Sequence, residues 1–418
     1  MRDDGEGDDG RWEWTMGMTA AEGLDPRYYT DPEIFARELE SIFAHTWQLV
    51  GHESQIASPG QLTTVRVGNE SVILANDDGV ISGFYNVCQH RGHQLIADGA
   101  ATDIAAAADI AADIAAAGGA AATMSSITCP YHAWSYGLDG RLLHARGEEV
   151  GDLCVPKVRV DSMSGFLFVN LDLGAPSLEE TVPGVAAELE AIAPDAAERK
   201  LTWRRSHLIR ANWKVAVENY NECYHCPNVH KTFTAGVVTP GSYRIAPRGF
   251  TIHHTAQGPP PDRSAYTRQA DSSEYGAFYT WPVSSIQCYP GRVLNTFRWV
   301  PLAVDQTLLI REWWFDRTEP TPEQAEVIAL DWDTTVSEDF EIMDSVQQGM
   351  ASRGYRPGPL IVDPSGVAGV HAENAVPHLH RLLLDALADQ PHVSQAHADQ
   401  PHADQAHADQ AHVSQTQG

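Results

Sequence analysis

The chain has 418 residues, of which 43% are hydrophobic, and a net charge of −28, because 56 acidic residues outnumber 28 basic ones. This length allows one large domain or two to three ordinary ones, with enough apolar residues for a packed core. The negative charge argues against nucleic acid as a partner, since a phosphate backbone would be repelled. There is no run of eighteen apolar residues and no signal-peptide pattern, so we expect no membrane partner and a cytoplasmic location.

The first part of the chain predicts a tail followed by a β-rich domain. Residues 1–26 begin with an acidic, glycine-rich stretch, which is typical of a tail. Residues 27–185 contain the β-branched runs LTTVRVGNESVILAND and GFLFVNLDLG, with turns between them, and these runs predict strands. Within this domain, the alanine-rich segment 100–122 has low complexity, and we interpret it as an inserted surface helix or loop.

The second part predicts a mixed domain, which makes the whole chain α+β. Residues 186–388 combine strands, such as TLLIREWWF, with helices, such as PEQAEVIALDWDTTVSEDFEIMDSVQQGM. Residues 389–418 repeat every five residues around a histidine, a period that matches neither helix nor strand. We predict a disordered tail there, with weak binding of divalent metal as the alternative.

Two cysteine–histidine pairs lie in the β-rich domain. They are Cys88-x-His90, in CQHRGH, and Cys129-x-x-His132, in CPYHAWSYGLDGRL. The four side chains could hold zinc in a closed Cys₂His₂ site or a two-iron cluster. One thiolate and one imidazole in each segment favour a [2Fe–2S] cluster with both thiolates on one iron and both histidines on the other. The flanking HRG and YHAWSY…DGRL are similar to the signature of Rieske domains.

The connection between the two pairs is longer than the Rieske resemblance implies. Between His90 and Cys129 lie 38 residues, and the alanine-rich insertion accounts for the excess. Loop-closure entropy grows only logarithmically with length, so that a doubling costs roughly 0.6 kcal/mol. We therefore expect the cluster to tolerate the insertion.

The segment NWKVAVENYNECYHCPNVH places a carboxylate, two histidines and two cysteines close together. We predict a helix to about Cys226, where Pro227 restrains the preceding residue away from helical geometry. Glu222 and His225 would then share a helical face. In an unbroken helix, His225 and His230 would point about 140° apart, so they converge only if the backbone deviates near Pro227.

Two histidines need one carboxylate to complete the facial triad of non-haem iron(II), which leaves positions open for O₂ and substrate. In the predicted helix TTVSEDFEIMDSVQQGM, Asp339 shares a stripe with four hydrophobic residues: Val336, Met343, Val346 and Met350. A carboxylate on a core-facing stripe is costly unless it is paired or metal-bound. Asp339 is therefore the candidate third ligand beside His225 and His230, with an N-cap or a buried salt bridge as the alternative.

These motifs together resemble the catalytic subunit of Rieske non-haem iron oxygenases, from about residue 27 to about residue 385. Glu222-x-x-His225-x₄-His230 matches the carboxylate-x-x-His-x₄-His pattern of that family. The resemblance implies that Glu222 is not an iron ligand. It implies instead a catalytic role in which Glu222 bridges the mononuclear iron of one subunit to the Rieske histidine of the next, in a homotrimer.

The resemblance also implies the architecture and the electron supply. We expect an N-terminal Rieske domain and a catalytic domain whose antiparallel sheet is covered by helices, in a helix-grip-like arrangement. A flavin and iron–sulfur reductase would deliver electrons from NAD(P)H to the [2Fe–2S] cluster, and O₂ would react at the Fe(II) site.

ENYNECYHC is most similar to the branch that acts on quaternary ammonium compounds such as carnitine, betaines and stachydrine. The predicted function is therefore hydroxylation beside a quaternary nitrogen, followed by N-demethylation or C–N cleavage. Hydroxylation of an aromatic ring or alkyl group, by a monooxygenase or dioxygenase, is the alternative. An electron-transfer Rieske protein without oxygenase activity is the alternative of another class, although a complete second iron site argues against it.

Two further features have a structural and a functional interpretation. Cys223 and Cys226 have C-x-x-C spacing, and we interpret both as packing residues, because a thioredoxin-like role needs a different surrounding pattern. Seven aromatic residues in one segment could enclose a trimethylammonium group by cation–π contact or could be sheet core. They are Tyr275, Phe278, Tyr279, Trp281, Tyr289, Phe297 and Trp299.

Overall fold

The structure of the chain is a computed structural model that describes residues 19–97, 122–147, 150–260, 263–265 and 273–388. The predicted C-terminal repeat and nearly all of the predicted insertion lie outside the described residues.

The first half of the chain is built mainly from strands. They are β1 (Thr19–Glu22), β2 (Gln48–His52), β3 (Gln61–Val67), β4 (Glu70–Asp77), β5 (Val80–Tyr85), β6 (Ala122–Thr123), β7 (Ile127–Thr128), β8 (Ser135–Tyr136), β9 (Leu142–His144), β10 (Lys157–Met163) and β11 (Phe166–Asn170). The helices are α1 (Arg27–Thr30), α2 (Pro32–Glu38), which a π-helical turn at Leu39–Phe43 continues, α3 (Leu178–Thr181) and α4 (Val185–Ile192).

Two sheets form the first domain. A seven-stranded sheet has the order β2-β11-β10-β5-β4-β3-β6, and a three-stranded sheet has the order β7-β8-β9. All pairs are antiparallel. Side chains alternate between the two faces of a strand, and in β4 Val72 and Leu74 join one hydrophobic cluster whereas Ile73 and Ala75 join another. The smaller sheet and the loop after β5 carry the two cysteine–histidine pairs.

The second half is a long-stranded sheet with helices. Its strands are β12 (Lys200–Ile209), β13 (Arg244–Arg248), β14 (Thr251–Gln257), β15 (Glu274–Thr280), β16 (Ser284–Tyr289), β17 (Val293–Ala303), β18 (Gln306–Phe315) and β19 (Pro359–Val362). Its helices are α5 (Trp213–Asn221), α6 (Cys226–Val229), α7 (Lys231–Gly236), α8 (Pro322–Asp331), α9 (Phe340–Met350) and α10 (Ala375–Ala388). Between α8 and α9 the chain forms a π-helical turn at Trp332–Val336 and a 3₁₀ turn at Ser337–Asp339.

The second sheet separates two hydrophobic layers. Its seven strands run antiparallel in the order β12-β18-β17-β16-β15-β14-β13. On β15, Tyr275 and Tyr279 face the core shared with α5 and α10, whereas Phe278 joins a second cluster with α4 and Phe166 of the first domain. Both faces are covered, so the central strands β15 to β18 are buried almost throughout, polar residues included. This architecture confirms the predicted α+β fold of a β-rich domain followed by an antiparallel sheet covered by helices.

The N-terminal segment packs on the second domain. Strand β1 pairs with β19, and the ring of Phe43 meets that of Trp213 edge-on at a centroid distance of 5.3 Å. Part of the predicted tail, Thr19–Glu22, is therefore a strand, and the residues that follow it help to close the core of the second domain. Within the described ranges, no helix combines the length and the apolar character that crossing a bilayer requires.

Candidate active site

Helix α5 ends at Asn221, earlier than predicted. The side-chain amide of Asn221 donates to the Val217 carbonyl at 2.7 Å, and Glu222 is extended, with φ −123° and ψ 154°. The Glu222 carboxylate then accepts the backbone N–H groups of Tyr224 and His225. Side-chain acceptors thus replace the helical hydrogen bonds, so the prediction of a continuous helix to Cys226 is wrong.

His225 and His230 flank a single helical turn. Cys226 begins α6, and Pro227 is its second residue, where a helix needs no amide donor. The predicted effect of Pro227 on Cys226 is therefore wrong, because Cys226 is helical. The histidines converge because both are boundary residues, and His230 has non-helical dihedrals of φ −100° and ψ 67°.

The two histidines meet Asp339 in one small volume. The Nε2 atoms of His225 and His230 are 3.1 Å apart, and Asp339 Oδ1 lies 3.7 Å from the first and 3.1 Å from the second. Ligand atoms that hold one divalent ion at right angles, each about 2.1 Å from it, lie about 3 Å apart. In the described part of the chain, this is the one group of three or more such side chains whose donor atoms lie within 4.8 Å of one another. The trio therefore fits one divalent metal ion.

Asp339 reaches the histidines from an interrupted helix. It ends the 3₁₀ turn and occupies the N-cap position of α9, yet its side chain makes no capping hydrogen bond. The N-cap alternative is therefore wrong. Val336 and Met343 on the predicted stripe are buried, but Val346 is 38% exposed, so the stripe leaves the core within α9.

Each histidine has a second carboxylate at its other ring nitrogen. Glu222 Oε1 contacts His225 Nδ1, and Glu338 Oε2 lies 2.9 Å from His230 Nδ1. Burial lowers the pKa of both imidazoles, but the neighbouring carboxylates outweigh burial and raise both pKa values. Sequence reasoning missed Glu338. Its position next to the predicted ligand Asp339 was the available signal.

The four side chains predicted to hold a cluster lie on two neighbouring loops of the first domain, which we call its tip. Cys88 and Cys129 are buried free thiols, and the rings of His90 and His132 lie 4.5 Å apart. Hydrogen bonds from Gly92 N–H to the Cys88 carbonyl and from Ala133 N–H to the Cys129 carbonyl close the two loops into turns.

The spacing of these donors argues against a closed zinc site. Four ligands of one zinc ion lie within about 4 Å of one another. Among the described residues, no three of Cys88, His90, Cys129 and His132 bring donor atoms within 4.8 Å of one another. A thiolate pair and an imidazole pair on two different irons fit this arrangement.

An aromatic cavity of about 650 Å³, including its mouth, opens beside the His225–His230–Asp339 group. Seven rings line it: Tyr220, Phe233, Tyr243, Tyr275, Tyr289, Phe297 and Trp299. Four of these come from the predicted aromatic set, whereas Phe278, Tyr279 and Trp281 are core residues. Tyr220, Phe233 and Tyr243 come from other elements, and the sequence pattern missed them. No lysine or arginine is among the lining residues in the described ranges.

His254 lies in the cavity wall and is hydrogen-bonded to Asn221, the last residue of α5. His254 is 1% exposed, and burial lowers its pKa to about 3, so the ring is neutral. The Tyr243 hydroxyl lies 2.9 Å from its Nδ1, and the Asn221 side-chain oxygen lies 3.2 Å from its Nε2. Tyr243 therefore donates to Nδ1 and Nε2–H donates to Asn221. The wall is polar in places, and the neutral His254 ring brings no charge to it.

Cys223 and Cys226 form a disulfide. Both are buried, in agreement with the packing interpretation, but their interpretation as unbonded packing residues is wrong. The turn after α5 brings their Cα atoms to 4.9 Å, within bonding range, whereas the predicted helix did not suggest a bond. The disulfide closes the short loop from Cys223 to Cys226, which contains His225.

Two family models match the chain. The Rieske [2Fe-2S] domain matches residues 46–157, and the ring hydroxylating alpha subunit (catalytic domain) matches residues 187–389. The carnitine monooxygenase oxygenase subunit of Escherichia coli K12 is 33% identical over 376 residues, which cover 88% of this chain and 94% of that protein. The glycine betaine monooxygenase oxygenase subunit of Chromohalobacter salexigens is 28% identical and covers 80% of this chain and 81% of its own length.

Solved structures show the same fold. The quaternary ammonium Rieske monooxygenase CntA in complex with L-carnitine superposes with a TM-score of 0.74 at 29% identity, covering 88% of this chain and 96% of CntA. A naphthalene 1,2-dioxygenase with bound indole superposes with a TM-score of 0.70 at 19% identity, covering 88% of this chain and 92% of the dioxygenase, a likeness of fold alone.

Proposed function

The chain belongs to the Rieske non-haem iron oxygenases, and from this premise we propose that it is the oxygenase subunit of a monooxygenase for a quaternary ammonium compound of the carnitine and betaine kind. It is an oxidoreductase whose cofactors are a Rieske [2Fe–2S] cluster and a mononuclear iron. When bound, the cluster supplies single electrons, and the iron offers open positions at which O₂ is activated.

We assign the ligands from the two groups of side chains described above. Cys88 and Cys129 would hold one iron of the cluster, and His90 and His132 would hold the other. His225, His230 and Asp339 would hold the mononuclear iron. The mutual distances of the trio and the 4.5 Å separation of the His90 and His132 rings support this assignment.

The aromatic cavity carries the substrate proposal. Rings attract a quaternary ammonium group by cation–π contact, worth about 0.5–2 kcal/mol each, and seven rings surround the space beside the proposed iron ligands. The rings of Phe297 and Trp299, two residues apart on the same face of β17, are stacked with their centroids 5.2 Å apart. A cation in this space also faces the carboxylates Glu222 and Asp339 at the cavity wall. Neutral His254 adds no repulsion.

The side chains of the cavity then have two tasks. The rings orient the substrate, so that a C–H bond on a carbon attached to nitrogen faces the proposed iron site, and they exclude water from it. Hydroxylation at that carbon gives a product in which the C–N bond breaks to release an amine. The relatives named for carnitine and glycine betaine support this substrate class.

Electron delivery requires partners. A reductase of the flavin and iron–sulfur type would reduce the cluster, and the chain would act as a homotrimer in which Glu222 connects the iron of one subunit to the cluster of the next. The contact of Glu222 with the outer nitrogen of His225 supports this role. A structure described as revealing inter-subunit electron transfer in a relative supports it as well.

The decisive experiment is turnover under ¹⁸O₂. The purified chain, with its cluster and iron, is combined with a surrogate reductase, NADH, and either a betaine, carnitine, choline or an aromatic acid, and products are identified by mass spectrometry. We expect oxygen-dependent release of an amine from at least one quaternary ammonium compound, and neither ¹⁸O incorporation nor consumption with a matched compound in which carbon replaces nitrogen. Ring hydroxylation of an aromatic acid without turnover of any quaternary amine would overturn the substrate proposal. A reducible cluster without any turnover would indicate an electron carrier.

A further inference from the structure

The carboxylates of two consecutive residues, Glu338 and Asp339, lie at the two ring nitrogens of His230. Asp339 Oδ1 lies 3.1 Å from His230 Nε2, and Glu338 Oε2 lies 2.9 Å from His230 Nδ1. The His230 side chain is 5% exposed and that of Glu338 is 31% exposed, so the carboxylate of Glu338 approaches from the rim of the site. The turn explains the arrangement, because a 3₁₀ turn has three residues per turn and points neighbouring side chains about 120° apart.

The approach of Glu338 decides which nitrogen of His230 carries the hydrogen. A neutral imidazole has one N–H and one lone pair. A carboxylate at Nδ1 can only accept, so Glu338 keeps the hydrogen on Nδ1. When a metal ion binds Asp339, the Nε2 lone pair is then available to the same ion. The other tautomer would point an N–H into the space shared with His225 and Asp339, where a metal ion would have to sit.

We propose that Glu338 is a positioning residue for His230, which holds the ring and its tautomer ready for the metal. This inference rests on the proposed assignment of His225, His230 and Asp339 as ligands. Glu222 contacts His225 in the same way but also accepts two backbone N–H groups, so its loss would change the loop as well as the ligand. Glu338 offers the cleaner test, because its hydrogen bond in the site is to a single ring nitrogen.

The test is metal affinity without turnover. The mononuclear site is depleted by a chelator, the cluster is checked by its visible absorbance, and cobalt(II) is added in equilibrium dialysis. Cobalt is counted by elemental analysis, so that cluster iron does not interfere. The variants are Glu338→Ala, Glu338→Gln and the control Glu341→Ala, an exposed glutamate three residues further on in α9.

We expect Glu338→Ala to bind cobalt about 10–100-fold more weakly than the parent, as is typical when such a partner is removed. Glu338→Gln should lie in between, since its amide oxygen can still accept from Nδ1–H. Glu341→Ala should bind as the parent does, and the thermal midpoint of the metal-depleted protein should be the same in all of them. Parent-like affinity of Glu338→Ala, or an equal loss in Glu341→Ala, would refute the positioning role. A parent that binds no cobalt at this site would refute the proposed iron ligands themselves.

Discussion

The carboxylates around the two histidines differ in the ring nitrogen that they approach. Asp339 lies at the Nε2 atoms, on the side where His225 and His230 converge, whereas Glu222 and Glu338 lie at Nδ1 atoms on the outside. An inner carboxylate can bind a metal together with the histidines, and an outer one can only orient them or connect them elsewhere. Position around the ring thus separates a ligand role from a supporting role.

This difference predicts opposite effects of two isosteric substitutions. Asp339→Asn should lose most of the mononuclear iron, because a neutral amide is a much weaker ligand for iron(II). Glu222→Gln should keep that iron but slow the oxidation of the reduced cluster by O₂ and substrate, since it removes the proposed connection to the neighbouring cluster. Elemental analysis beside single-turnover absorbance measures both.

Two outcomes would contradict these roles. Loss of iron from Glu222→Gln together with retention in Asp339→Asn would mean that the carboxylates exchange roles. Retention of iron and of fast cluster oxidation in Glu222→Gln would remove the bridge, and electrons would need another route.

The disulfide predicts a specific thiol count. Of the six cysteines, Cys88, Cys129, Cys154 and Cys288 are free, and Cys223 is bonded to Cys226. Denaturation in acid releases the cluster, and alkylation during denaturation should modify four cysteines, rising to six only after reduction by a dithiol. Peptide mass spectrometry should find the Cys223–Cys226 peptide unmodified and two hydrogens lighter before reduction. Six modified cysteines without reduction would contradict the disulfide.

At the scale of elements, the sequence predicted the sheets and the ligand-bearing segments better than the turns between them. The β-branched runs between turns predicted the strands, and the histidine motif predicted that His225 and His230 converge. The end of α5 was missed because the Asn221 side chain donates to the backbone and the Glu222 side chain accepts from it, and side-chain hydrogen bonds of this kind leave no periodic signal. Glu338 was missed for a related reason, since its role depends on the rotation imposed by a 3₁₀ turn.

The sequence predicted only some of the aromatic residues that line the cavity. Tyr275, Tyr289, Phe297 and Trp299 come from one apolar segment, yet strand alternation sends Phe278 to the opposite layer. Tyr220 and Tyr243 enter from α5 and from just before β13, so only the folded chain brings them to the same space. Residues distant in sequence meet through sheet order, which composition does not encode.

The alanine-rich insertion should be dispensable for the cluster. Strand β6 resumes at Ala122 and pairs with β3 through Leu62↔Ala122 and Gln61↔Thr123, so deletion of residues 100–121 retains that pairing. Because shortening a loop lowers its closure entropy only slightly, we expect a parent-like content of acid-labile sulfide and turnover within a few-fold of the parent. A matched exchange of the same residues for a glycine–serine linker separates length from composition. Loss of sulfide in both variants would show that the insertion protects the cluster.

At the scale of the whole molecule, the two proposed metal centres lie in different domains, and the tip that carries one of them faces outward. His90 is exposed at that tip, whereas His230 is buried between helices of the second domain. An exposed histidine of a cluster can meet another protein surface, be it a reductase or a neighbouring subunit. The exposed tip is therefore consistent with electron transfer that crosses from one subunit to the next.

Transfer between subunits predicts that two inactive variants can restore each other. Cys88→Ser should lack a functional cluster, and Asp339→Asn should lack mononuclear iron, so each alone should be inactive. In a closed ring, every interface joins the same two different surfaces, so a Cys88→Ser subunit can receive electrons from a neighbouring Asp339→Asn subunit. Every trimer that contains both variants has one productive interface out of three, so the doubly purified trimers should turn over at about a third of the parent rate. The measurement is turnover of trimers co-expressed with two affinity tags and purified through both, compared with a mixture of the separately purified variants.

Activity only after co-assembly supports transfer across the interface. Inactive mixed trimers whose individual subunits keep the remaining cofactor would show that each subunit reduces its own iron, and the bridging role of Glu222 would then have to lie within one chain.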